Sequence, residues 1–386
     1  QRGVSATPAA PPGSHRARSA TPQQGGSAAV LPGSAGNSLR TALLGGAGHA
    51  SRSAATSRSG SPFRSGGFSP EAGSAGSGCA LEAQPTGRGS APDEHCVHIL
   101  AGHAGFVMSL CTVGDVLFTG SQDCNIMIWD LNNLQYIGTL PGHRGFVKCM
   151  AATLGKKLLC SGSQDKTIKV WSLETFSATK TLVGHTSEVN TVAILEGSDV
   201  LISGGEDRSV RVWDLTSLTL LASLEQAHQS GVFAIAQLDA GVFLSASRDR
   251  TMKVWQASTW QVRKTLQPPH YDGVSDLAIS PRTGRFFSAS RDRSIRRWDA
   301  QTYESDLQMT HAHGDWLTSL ALSPSESILF SGGKDCVVKV WDTDLHCKDL
   351  LSGHRGPISA LLAVDSHLFS ASHDRTVRVW RVDHFK

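Results

Sequence analysis

From residue 95 to the end of the chain, apolar residues recur at every second position in short runs. The first such stretch contains Phe106, Met108 and Leu110, then Val116-Leu117-Phe118, then Ile126 to Trp129, then Tyr136 to Leu140, each run bounded by Gly, Asp or Asn. A period of two in runs this short predicts β-strands, four to a group, and no helix. The same succession returns six more times. One four-stranded sheet of this size would leave both faces wet, whereas seven stacked radially bury them against each other. The pattern therefore predicts an all-β, seven-bladed β-propeller over residues 95–386.

Four residue types keep time with this pattern. Seven tryptophans, Trp129, Trp171, Trp213, Trp255, Trp298, Trp341 and Trp380, follow one another at separations of 42, 42, 42, 43, 43 and 39. Six positions before each stands an aspartate: Asp123, Asp165, Asp207, Asp249, Asp292, Asp335 and Asp374. Four positions before each aspartate is a hydroxyl: Thr119, Ser161, Ser203, Ser245, Ser288, Ser331 and Ser370. A histidine precedes each aspartate by 20 to 22 positions: His103, His143, His185, His228, His270, His313 and His354. The expected role of each set is structural, with Asp accepting from His, His accepting from the hydroxyl, and the indole N–H donating to that hydroxyl. Leaving one such half-buried group unpaired would cost about 1–3 kcal/mol.

Gly102-His103, Trp129-Asp130 and Trp213-Asp214 make the repeat resemble that of the WD40 family. In that family the fourth strand of each blade lies between its Trp and the next Gly-His, but only six residues follow Trp380. The resemblance implies that the last blade takes its outer strand from residues 95–100, which removes an open sheet edge. It also implies a non-catalytic platform for binding other proteins.

Residues 1–94 differ in kind. They are rich in Ser, Gly, Ala, Pro and Arg, and from Gln1 to Pro70 they carry Arg2, Arg16, Arg18, Arg40, Arg52, Arg58 and Arg64 with no Asp, Glu or Lys. Such a stretch buries too little apolar surface to offset the entropy of ordering, so a disordered basic arm is expected ahead of the WD40 propeller. The eight cysteines form no C-x-x-C pair and no framework spacing, which points to a reducing compartment. No apolar run approaches the length of a membrane span. A start at Gln1 leads us to expect a fragment with missing upstream sequence.

Candidate chemistry narrows the picture further. Ser, His and Asp together invite comparison with a catalytic triad, but an enzyme has no need of seven identical nucleophiles. His95-Cys96-Val97-His98 alternates across a strand and lacks distant partners, which argues against a metal site. No Gly-Lys-Ser/Thr phosphate loop is present. We therefore expect no catalytic residue, no cofactor, no metal and no small-molecule substrate.

The histidine loops and the Asp turns must lie at one end of the ring. Beside them, Arg248, Arg291 and Lys334 precede turn aspartates, Arg250 and Arg293 follow them, and Phe106, Phe146, Tyr271 and Trp316 sit in the histidine loops. This rim is expected to attract an acidic, flexible protein segment through steering and a few aromatic anchors. RNA binding by the arm has little support, since aromatics are scarce there.

Pro268-Pro269-His270-Tyr271-Asp272-Gly273 resembles the fifth blade of the propeller that ends kinesin-four family motors, and Ala312-His313-Gly314-Asp315-Trp316 is similar to the opening of their next blade. That family's middle blades carry insertions, whereas the seven tetrads here are evenly spaced. The resemblance implies a motor and coiled coil upstream, cytoplasmic and cytoskeletal localisation, and tubulin, microtubules or cargo adaptors as partners. The alternative is the substrate-recognition ring of a ubiquitin ligase, since similar Ser-Ala-Ser-x-Asp-Arg turns occur behind RING domains, or a general WD40 scaffold.

Overall fold

The computed structural model describes residues 95–385, so the basic arm expected over residues 1–94 lies outside them. The described residues form twenty-eight strands and no helix. These pair into seven antiparallel sheets of four strands. In blade 1 the order outward is Val107–Val113, Val116–Ser121, Asn125–Asp130 and Tyr136–Pro141. Blades 2 to 6 repeat this meander over 147–183, 189–224, 232–265, 274–309 and 317–351.

The seven innermost strands lie side by side in chain order, and the last, Ile358–Val364, returns to the first, Val107–Val113. The ring is therefore closed. Blade 7 takes its outer strand from the beginning of the domain: Cys96–Ala101 pairs antiparallel with Thr376–Arg381, placing Leu100 opposite Val377 and Ala101 opposite Thr376.

The alternation of apolar residues now has a destination. Buried side chains gather into seven clusters, and each straddles one interface between neighbouring blades. Each tetrad tryptophan faces the preceding blade: Trp171 packs with Phe118 and Ile128 of blade 1, and Trp129 packs with Phe369 and Val379 of blade 7. Full burial of an aliphatic or aromatic side chain contributes roughly 1.5–3 kcal/mol. The apolar core therefore lies between blades.

The histidine loops and the Asp turns share one end of the ring, called here the upper face. The turns joining each innermost strand to its neighbour lie at the other end, the lower face. Strand Cys96–Ala101 runs into the His103 loop, so His95 starts at the lower face. There its ring stacks on His384 at 4.5 Å, and its Nε2 lies 3.3 Å from Asp349.

Candidate functional site: the upper rim

Each tetrad is a closed chain of hydrogen bonds. His Nδ1 lies 2.7–3.1 Å from the turn aspartate in all seven blades. His Nε2 lies 2.7–2.8 Å from the hydroxyl oxygen. The indole N–H donates to that same oxygen over 2.7–3.0 Å. A carboxylate can only accept, so Nδ1 carries the hydrogen and Nε2 accepts from the hydroxyl. The seven hydroxyl residues are 0% exposed. None of them can reach a substrate, and the triad reading fails on access alone.

Burial works against ionisation of the turn aspartates, yet hydrogen bonds from His and from the turn outweigh it. They hold Asp165, Asp207, Asp249, Asp292 and Asp374 well below the usual carboxylate range. The same carboxylates also accept from the residue after the histidine, as with Tyr271 N–H to Asp292 at 2.9 Å. One aspartate thus fixes both the turn and the loop that carries rim side chains.

A second regular device builds the rim itself. The residue before each turn aspartate donates its N–H to the carbonyl three places after the histidine. Gln122 donates to Phe106, Gln164 to Phe146, Glu206 to Glu188, Arg248 to Gly231, Arg291 to Gly273, Lys334 to Trp316 and His373 to Pro357, over 2.8–3.0 Å. Three side chains of the first set lean onto the next blade. His373 stacks on Phe106 at 4.5 Å with the planes 4° apart, Gln164 donates to Glu188, and Arg291 lies against Trp316. Glycine takes the receiving position twice: a Cβ at Gly231 would lie 2.2 Å from Glu206 Oε2, and one at Gly273 would lie 3.0 Å from Arg248 Cα.

The rim residues singled out in the sequence fall into two groups. Arg291, Trp316 and Lys334 come together: the Arg291 guanidinium lies 4.6 Å from the ring of Phe233 and 4.8 Å from that of Trp316, and Lys334 Nζ lies 3.9 Å from the Trp316 centroid. Burial, and then the nearby Arg248, hold Arg291 below the usual guanidinium value. Beside them Tyr271 is 80% exposed. Arg250 and Arg293 are exposed and take left-handed backbone angles, φ 76° and 69°, directly after their turn aspartates. Phe106 and Phe146, in blades 1 and 2, are half-buried and lie apart from this cluster.

Charges on this rim pair across the boundaries between blades. Arg248 Nη1 lies 3.6 Å from Glu206 Oε1 across the boundary between blades 3 and 4. Glu188 is likewise engaged by Lys148 at 2.8 Å. Arg248 and Lys148 are thus engaged within the rim, whereas Arg291 and Lys334 of blades 5 and 6 make no ion pair among the described residues. Phe233 was missed in the sequence because it falls inside a strand run. Its signal was positional: the corresponding residues are Met108, Lys148, Asn190, Ser275, Thr318 and Ser359, a mixed set that marks a place outside the core.

The family comparison agrees with this geometry. The WD40 profile (WD domain, G-beta repeat) matches residues 94–130, 134–172, 176–214, 218–256, 260–299, 305–342 and 345–381. The chain belongs to the WD40 family. No curated protein matches it. What matches is the repeat. Among the described residues no three His, Cys, Asp or Glu side chains group as metal ligands, and no helix is long and apolar enough to cross a membrane. This WD40 propeller is a non-catalytic protein-interaction scaffold.

Proposed function

We infer that the scaffold captures an extended, acidic protein segment on the upper rim of blades 4 to 6. The observation that carries this reading is Trp316, 37% exposed and in contact with both Arg291 and Lys334. An indole with cations already placed against it loses little freedom when a partner arrives, and buried aromatic and Arg anchors supply most of the energy of protein interfaces. Among the described residues Arg291 and Lys334 make no ion pair, so their charge is open to a partner's carboxylates.

The specific occupant we favour is the acidic tail of tubulin, with the ring serving as the cargo or microtubule contact of a kinesin-like protein in the cytoplasm. Exposed Tyr271, inside the kinesin-like hexamer, supports that choice. A ubiquitin-ligase ring would use the same surface for a degradation signal. Co-sedimentation with microtubules across a salt series, next to calorimetric titration with a Glu-rich peptide, tests both levels. Peptide binding without microtubule binding overturns the kinesin-like reading. Binding to neither, or binding indifferent to salt, overturns the acidic-segment reading as well.

A further inference from the structure

The lower face carries a cleft of about 760 Å³ across blades 3 to 5, between the turns that follow their innermost strands. Ile194, Leu238, Ile279, Pro281 and Ala300 supply its apolar wall, and Ile194 and Ile279 keep part of their surface open. Glu196 and Asp239 stand at its edge, and both are exposed. Among the described residues neither makes an ion pair, whereas their neighbours Asp199 and Glu326 are engaged by Lys156 and by Ser280 and Arg282. The cleft therefore asks for a short apolar segment with a positive charge next to it.

The most leucine-rich stretch ahead of the propeller answers that description. Residues 1–94 contain five leucines, and three of them, Leu39, Leu43 and Leu44, fall within six residues that also include Arg40. No acidic residue occurs from Gln1 to Pro70. The connection also has the right origin, because the chain enters the ring at His95 on the lower face. Fifty residues, 45–94, separate Leu44 from His95, and a chain of that length can reach at most about 170 Å. Seven sheets packed about 10 Å apart enclose a ring of mid-blade radius only about 11 Å.

We propose that Leu39–Leu44 of the same chain docks in the lower cleft, its leucines against Ile194 and Ile279 and Arg40 beside Glu196 and Asp239. Tethering raises the local concentration of the segment into the millimolar range, so even a weak contact is populated. The upper rim is left free, so this contact neither needs nor excludes the partner proposed there.

Hydrogen exchange on the full chain tests the docking. The comparison variant is Leu43→Ser with Leu44→Ser, which alters no residue of the ring. Amides in 195–200, 239–242 and 280–285 are expected to exchange about tenfold more slowly in the wild type than in the variant. A second variant, Glu196→Lys with Asp239→Lys, is expected to remove the same protection while leaving the unfolding temperature within a few degrees. Equal exchange in wild type and Leu variant overturns the proposal. So does protection that appears only as protein concentration rises, which would assign the cleft to the arm of another copy.

Discussion

The guanidinium of Arg291 in blade 5 lies 4.8 Å from the ring of Trp316 in blade 6, so the rim's principal anchor is held by a neighbour from another repeat. Arg291→Ala should therefore weaken binding of an acidic peptide twice over, by removing a charge and by releasing the indole. Trp316→Ala is expected to cost about 2 kcal/mol, a hot-spot value. The double variant should cost less than the sum of the two, and calorimetry on the four proteins measures the difference.

The tetrads predict a stability effect rather than a functional one. In blade 5, Ser288 takes His270 at 2.7 Å and Trp298 at 2.9 Å, with no exposure. Ser288→Ala leaves two buried groups without a partner and should cost about 1–3 kcal/mol. Adding Trp298→Phe removes the stranded donor, so denaturant titration should show less than additive loss.

Acid should unfold the ring through the same chains. The turn aspartates have depressed folded values, so their contribution is present above the unfolded carboxylate value of about 4 and is lost as pH falls below it. His270, pushed down by burial, acts in the same direction from about pH 6.5 downward. Melting temperatures across pH 3–7 should fall steeply at the acid end. A flat profile would remove these bonds from the account of stability.

Asp276 has the opposite sign. It accepts Leu320 N–H at 2.8 Å and the Ser319 hydroxyl at 3.0 Å, stitching blade 5 to blade 6, but burial still pushes its carboxyl up to about 6. A raised carboxyl contributes fully below the unfolded value of about 4 and loses that contribution as pH rises through 6. Blade 3 has Thr191 at the same register, accepting Ile235 N–H at 3.2 Å without a charge. Asp276→Thr should therefore stabilise the protein at pH 7 relative to pH 4, as paired thermal melts at the two values would show.

The features legible in the sequence were those that repeat. Asp, His, hydroxyl and Trp recur in fixed phase, so their bonding partners follow from spacing within one repeat, and the shortage of residues after Trp380 pointed to the strand that starts at Cys96. The features that were not legible cross from one repeat to the next. Whether Arg248 leans toward Glu206, whether His373 covers Phe106, and whether Asp276 reaches Leu320 depend on which side chains are long and which receiving positions are glycine. Those choices differ at every blade boundary, so no periodicity announces them. The rim's composition could be read in advance, but the charge it leaves uncompensated could not.

Because Cys96–Ala101 hydrogen-bonds to Thr376–Arg381, a ribosome releases the first strand of this ring long before its partner exists. Blades 1 to 6 can form in order as they emerge, but blade 7 needs strands from both ends of the ring, and the seam is a contact of very high sequence separation. Loop closure of that length makes folding slow. Until that seam closes, the apolar flanks of blades 1 and 7 stay uncovered, which is when the nascent protein most needs a chaperone.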